Sequence, residues 1–247
     1  MTGVLHLLND GALDGPENMA RDEQLLHDQS LRPAVLRMYE WEPATLSLGY
    51  FQRIADARTL ADRLPGVPVV RRQTGGGAIL HDRELTYCLV ADDSLDAARR
   101  GPTALYELVH EAWRAVLDPE CAGMELAPEH MPLPTPRSGP FFCFEKPGRT
   151  DLLIGHEKVL GSAQRRIPGR VLQHGSLILG RRFSVHPGAH LNDPSALTVA
   201  AWRARFADEL AGRLGLRVAA AAWSAAALAD AARRREKYAG AAWTEMR

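Results

Sequence analysis

Three consecutive glycines between two apolar runs constrain this chain more than any other feature. Gly75, Gly76 and Gly77 lie within Arg71-Arg72-Gln73-Thr74-Gly75-Gly76-Gly77-Ala78-Ile79-Leu80-His81-Asp82, after Val67-Pro68-Val69-Val70 and before Leu85-Thr86-Tyr87-Cys88-Leu89-Val90-Ala91. Glycine disfavours helix and the flanks are rich in β-formers, so the segment predicts strand, tight loop, strand, turn, strand. A glycine backbone reaches positive φ and lets a ligand approach without side-chain clash. Successive N–H groups in such a turn can point at a carboxylate, phosphate or thioester oxygen, and Arg71 and Arg72 could add charge-assisted bonds. Taken alone, the triplet is more simply a hairpin turn with both arginines solvated. Two phosphate loops are excluded: no Gly-Lys-Ser/Thr follows, and the spacing is not G-x-G-x-x-G.

The rest of the chain predicts helices and strands without a strict alternation. A helix is expected over 17–29, capped by Asn18, with Met19, Leu25 and Leu26 as its apolar stripe. Strands are expected at 34–41 and 45–51, and a short helix at 55–64 before Pro65-Gly66. Residues 102–117 carry Leu105, Leu108, Val109, Trp113 and Val116 at helical spacing. Residues 127–140 hold five prolines and predict an irregular segment. Strands follow at 151–154, 158–166 and 170–179, then an Ala-rich helical tail from about 194, closing with Tyr238 and Trp243. The pattern predicts an α+β fold with mixed, mostly antiparallel sheets packed with helices.

Composition narrows the function classes. Lysine plus arginine equals aspartate plus glutamate, at 30 each, so the net charge of zero argues against a protein built to coat nucleic acid or an anionic membrane. No apolar stretch approaches the ~20 residues that span a bilayer, and Met1-Thr2-Gly3-Val4-Leu5 lacks a signal-peptide pattern. The cysteines are Cys88, Cys121 and Cys143, an odd number with no CxxC spacing. Neither a disulfide framework nor a zinc knuckle is indicated, and a cytoplasmic location is expected.

Arginine dominates the basic residues, and the only lysines are Lys146, Lys158 and Lys237. A lysine kept among arginines hints at chemistry, because lysine alone can lose its proton when its surroundings shift it. Lys158 opens a strand-like segment and precedes Gly161, Ser162 and Ala163, small residues that would let an acyl tail or carbonyl approach the backbone. Cys143, in Phe141-Phe142-Cys143-Phe144-Glu145-Lys146-Pro147-Gly148, reads either as a buried structural thiol or as a loop nucleophile. A thiol becomes a good nucleophile beside an ammonium, which Lys146 or Lys158 could provide. Cys88 reads as core and Cys121 stays unassigned. His81 and His174 are secondary candidates without a catalytic role, and Asp82 is expected to order its own turn. His186 and His190 are separated by Pro187 and Gly188, so metal binding is not expected there.

The segment RRxTGGGAxLHD resembles the signature of the lipoate/biotin ligase and octanoyltransferase superfamily. Asn18–Leu26 looks like that superfamily's first helix, and Trp41–Gln52 like its tryptophan–glycine strand pair. Lys158–Gln164 is similar to its lysine motif, Gln173–Leu177 to the next strand, and Lys237-Tyr238 through Trp243 to the end of its catalytic domain. The cysteine segment just upstream of KVxGSAQ resembles the cysteine-dependent octanoyltransferases. The resemblance implies one catalytic domain over 1–247, like those of biotin and lipoate ligases. It implies Cys143 and Lys158 as catalytic residues, with Arg71, Arg72, Gly75, Gly76, Gly77, His81, Gly161, Ser162 and Ala163 binding substrate. The implied reaction passes an octanoyl group from acyl carrier protein through Cys143 to a lysine of a lipoyl domain or glycine cleavage H protein. Backbone N–H groups near Gly76–Gly77, or Lys158, would stabilise the oxyanion, and an apolar slot near Leu80 and Leu160 would hold the chain. Lys158 could be the proton acceptor or the partner of the thiolate. A monomer without cofactor is expected. The uninterrupted glycine triplet also fits an ATP-dependent lipoate–protein ligase, which would need ATP and Mg. Biotin ligase and a non-catalytic acyl-binding subunit rank lower.

Overall fold

A computed structural model describes residues 3–119, 121, 123–128, 130, 131 and 139–247. In chain order the elements are β1 (Val4–Leu13), α1 (Gly15–His27), β2 (Ala34–Trp41), β3 (Thr45–Leu48), α2 (Ile54–Arg58), β4 (Val69–Arg71), β5 (Ile79–His81) and β6 (Glu84–Asp92). Then come α3 (Asp96–Arg99), α4 (Pro102–Leu117), β7 (Met124–Leu126), β8 (Leu152–Ile154), β9 (Glu157–Ile167) and β10 (Arg170–Ile178). The chain continues with α5 (Ala196–Leu214), β11 (Arg217–Ala220), α6 (Ala225–Ala239) and α7 (Ala241–Thr244).

Eight strands form one sheet in the order β11-β1-β2-β6-β10-β9-β8-β7, and β4-β3-β5 form a second. β1 runs parallel to both β2 and β11, β3 runs parallel to β4, and the remaining pairs are antiparallel. The fold is therefore α+β with a mixed, mostly antiparallel sheet.

Every residue of β6 and β10 is buried, because helices cover the large sheet on both faces. Leu85, Tyr87 and Leu89 of β6 join Leu105, Val109 and Trp113 of α4 and Phe206 of α5 in one core. The intervening Cys88 and Val90 pack with Met19, Leu25 and Leu26 of α1 and Tyr238 of α6 in another. This is the period-two alternation of a strand used twice. The smaller sheet has its own core of Leu46, Leu48, Leu64, Ala78, Leu80 and Phe142.

Several sequence expectations need correction. Asn18 does not cap α1. Asp14 does, its Oδ1 accepting from Glu17 N at 2.8 Å, while Asn18 is buried and its Nδ2 donates to the carbonyls of Leu13 and Glu40. The second strand stops at Leu48 rather than 51, and the helix expected at 55–64 is the shorter α2 followed by turns. The tail is broken by β11, and β1 and β7 went unread. Of the proline-rich stretch 127–140, residues 129 and 132–138 lie outside the described residues, and the others form no helix or strand.

Candidate active site

Arg72 organises the glycine loop from beneath. It is 2 % exposed, and its donors face inward. Nη2 donates to the carbonyls of Gly75 and Gly77, both at 2.7 Å. Nη1 donates to the carbonyl and Oγ of Ser47, and Nε to Thr74 Oγ1. Burial pushes the guanidinium down to about 10, against the pull of Cys143, which still leaves it charged at neutral pH. Because a trans peptide holds C=O and N–H on opposite sides, two carbonyls turned in to Arg72 turn the N–H groups of Gly76 and Ala78 away from it. Ala78 N is taken by the Phe141 carbonyl at 2.7 Å. The Gly76 N–H lies on an exposed residue at φ 92, a conformation that favours glycine.

Two histidine–carboxylate pairs brace Arg72. His81 sits between Ser47 Oγ and Glu84 Oε1, both at 2.7 Å, and stacks on Trp41 with ring centroids 3.8 Å apart. His174 sits between Thr74 Oγ1 at 2.7 Å and Asp22 Oδ2 at 2.9 Å. A carboxylate only accepts, so each Nδ1 carries the hydrogen that faces it. Burial lowers the basicity of His81, with Glu84 opposing. Neither imidazole faces the loop's open side.

The cysteine segment is tacked to the exit of this loop. Cys143 N donates to the Ala78 carbonyl at 2.9 Å, and Ala78 and Phe142 form a parallel bridge. A Cβ on Gly77 would stand 2.7 Å from Cys143 N, so the bare glycine permits this approach. Cys143 is half-buried against Ile79, Phe144 and Ile178.

Lys158 reaches the same point from β9. Its Nζ lies 3.3 Å from Cys143 Sγ, 3.4 Å from the Cys143 carbonyl and 2.9 Å from Asp151 Oδ2. The Phe144 ring centroid is 5.1 Å away. A bulge at Val159 shifts the β8–β9 register here. Lys158 is 2 % exposed. Burial lowers its affinity for the proton, but Asp151 and Cys143 outweigh burial and raise that affinity above that of a free lysine. It is held as an ammonium. Lys146, the other cation considered for Cys143, is exposed.

The structure gives the remaining expected site residues different work. Arg71 is fully buried. Its donors meet the carbonyls of Gly49, Tyr50, Gln52 and Thr244, so it offers a ligand no charge. A Cβ on Gly161 would lie 1.9 Å from Lys158 Cε, so that glycine makes room for Lys158 itself rather than for an acyl tail. Ser162 Oγ is engaged by His110 Nε2 at 2.7 Å and Tyr87 Oη at 2.6 Å, while Ala163 pairs with His174 across β9 and β10. Leu80 and Leu160 fall in separate packed cores, so they do not line one slot. Asp82 pairs with Arg182 at 2.5 Å instead of ordering its own turn. His186 is buried and His190 is not within any group of three or more His, Cys, Asp or Glu able to hold a metal among the described residues.

Three residues of the site carry no signal in the sequence: Asp151, Thr150 and His110. Asp151 stands seven positions before Lys158 with no motif linking the two, and His110 lies on another helix, so only the fold reveals them.

The architecture is that of the lipoate–protein ligases. The structure superposes on lipoate-protein ligase A bound with ATP, TM-score 0.78 at 20% identity, covering 99% of each chain. It also superposes on a structure from the analysis of a bi-partite lipoate protein ligase and its E2 lipoyl domain from Thermoplasma acidophilum, TM-score 0.74 at 19% identity, covering 98% of this chain and 96% of that one. Residues 14–186 match the lipoyl protein ligase A/B catalytic domain, and the chain belongs to that family. Among curated relatives, Octanoyltransferase LipM of Lysinibacillus sphaericus (strain C3-41) is 38% identical over 182 residues, which are 70% of this chain and 65% of the relative. Octanoyltransferase LipM of Staphylococcus aureus (strain NCTC 8325 / PS 47) is 38% identical over 189 residues, 72% of this chain and 67% of the relative. No helix among the described residues is long and apolar enough to cross a membrane.

Proposed function

We propose that this protein is an octanoyltransferase working through a Cys143 acyl-enzyme, within one catalytic domain over residues 1–247. The observation that carries the reading is the contact between Cys143 Sγ and the buried Lys158 ammonium at 3.3 Å, beside the glycine loop. The relatives named octanoyltransferase support the acyl group. The donor is octanoyl acyl carrier protein, and the acceptor is a lysine of a lipoyl domain or of the glycine cleavage H protein. The enzyme works as a cytoplasmic monomer, without nucleic acid or membrane.

Cys143 sulfur attacks the thioester carbonyl, and the carbonyl oxygen takes the electron pair while facing the Gly76 N–H. Collapse breaks the carbon–sulfur bond to the carrier, which leaves as a thiolate and takes a proton from water. The acceptor lysine, arriving as a neutral amine, attacks the new thioester. Cys143 leaves as a thiolate facing Lys158, and the nitrogen gives up its extra proton to water as the amide forms. Lys158 is already protonated, so its role is to stabilise negative charge on sulfur rather than to remove a proton. The thioester supplies the driving force, and the reaction needs no cofactor.

Incubation with octanoyl carrier protein in the absence of ATP should give an octanoyl-sized increment on Cys143 by intact and peptide mass. No adduct, together with ATP- and Mg-dependent modification of a lipoyl domain, would establish the lipoate–protein ligase alternative that the glycine triplet favours.

A further inference from the structure

We propose that Asp151 is a positioning residue for acyl transfer: its carboxylate holds the Lys158 ammonium against Cys143, and helix α4 fixes that carboxylate through His110. The proposal rests on the transferase reading above.

A buried ammonium is unfavourable without a partner, and so is a buried carboxylate. Asp151 is 6 % exposed and Lys158 2 %. Asp151 Oδ2 stands 2.9 Å from Lys158 Nζ and also accepts from Gly148 N at 2.7 Å. The oxygen is aimed by two donors, one of them backbone.

The residue before it carries a strained conformation. Thr150 has φ 75, the left-handed region that a β-branched residue rarely enters. The Thr150 carbonyl faces His110 Nδ1 at 2.5 Å, deep in the interior. His110 Nε2 meets Ser162 Oγ, which meets Tyr87 Oη, which accepts from Gln173 Nε2 at 2.9 Å. An unbroken polar chain thus runs from β10, β6 and β9 through α4 to the backbone that presents Asp151. Such a chain fixes a carboxylate more tightly than an exposed turn could.

The titratable groups facing the pair are Cys143, Arg72 beneath the glycine loop, and Tyr106 and His110 of α4. Burial, ahead of every other influence, keeps the Tyr106 phenol protonated and the His110 imidazole neutral. Neither brings charge near neutral pH, so Asp151, ahead of Cys143, is the main group opposing the desolvation of Lys158. Without it, burial drives Lys158 towards the neutral amine, which does not stabilise a thiolate.

This predicts a sign opposite to that of simple charge removal, since a carboxylate near sulfur by itself disfavours a thiolate. The test is iodoacetamide alkylation of the intact protein, read at Cys143 by peptide mass so that Cys88 and Cys121 do not interfere. Asp151→Asn keeps an acceptor for Gly148 N. Its alkylation at pH 7 should slow by about tenfold or more and recover at alkaline pH. In a Lys158→Met background the same change should no longer slow alkylation, because the slowing acts through Lys158. An Asp151→Asn rate equal to or above that of the unaltered protein overturns the proposal. So does a slowing that alkaline pH does not recover, or an equal effect without Lys158. Asp151→Glu keeps the charge and should react faster than Asp151→Asn, and a slower rate would also overturn it. Alkylation needs neither acyl donor nor acceptor, so failure to form an octanoyl adduct would sink the functional reading alone.

Discussion

Replacing Gly161 by alanine places one methyl group where the head of Lys158 lies. The added Cβ would stand 1.9 Å from Lys158 Cε, 2.3 Å from Nζ and 3.1 Å from Asp151 Oδ1. The atoms in the way are the far end of a flexible side chain, so the strand survives and the lysine swings out. The 2.9 Å ion pair with Asp151 and the 3.3 Å contact with Cys143 Sγ are then lost together. Leaving one partner of a buried pair alone costs ~3–5 kcal/mol, an upper figure because Asp151 can take up a proton. In a chain of this length each kcal/mol lowers the melting temperature by about 2–4 °C. Losing one preorganised electrostatic contact slows transfer by about 100- to 1,000-fold. Calorimetry, single-turnover octanoyl transfer and substrate-free alkylation of Cys143 should all report the change. If Gly161 instead served only to let a ligand approach, KM for the acyl donor would rise while alkylation and melting stayed put. That pattern would refute the reasoning.

Cys143→Ser should abolish the octanoyl adduct with no change in melting temperature, and an adduct retained elsewhere would show that the nucleophile is another residue. Arg72→Lys should reduce transfer by about 100-fold or more, since one ammonium cannot hold Ser47, Thr74, Gly75 and Gly77 at once; unchanged kcat would show that the loop holds its own shape. Burial pushes His186 down to about 4 from 6.5. Between those values the unfolded chain binds a proton that the folded chain refuses, so stability falls as pH falls through this window, by up to ~3 kcal/mol. His186→Phe, packing on Phe142 and Phe144, should make the acid limb of a pH–melting curve shallower, and an identical limb would assign the loss to other groups.

Local rules carried the fold furthest where one element held all the information. α4 occupies 102–117 as its apolar spacing predicts, and β2 and β10 fall within a residue of expectation. Rules failed where the deciding partner is remote. β11 is an Ala-rich stretch drawn into strand by parallel pairing with β1, and Asn18 looks like a cap only because Arg37 and Glu40 are invisible from its own neighbourhood. The site divides the same way. Cys143, Lys158 and the glycine loop are brought together. Arg71 and Arg72, adjacent and alike in sequence, point their charges at different interiors. Asp151 became legible only once a bulge and a left-handed threonine had turned it towards Lys158.

Arg71 ties the chain's last turn to the loop it precedes. Its Nε and Nη2 hold the Thr244 carbonyl, Trp243 Nε1 donates back to the Arg71 carbonyl, and Ile54 N donates to the carbonyl of Arg247. The family match ends at residue 186, yet removing the final helix would strip a fully buried guanidinium of one acceptor and two hydrogen bonds right beside the glycines. A boundary drawn by similarity is thus not a mechanical one. The C-terminal turn works as a keystone, and an edit made there is felt at Gly75.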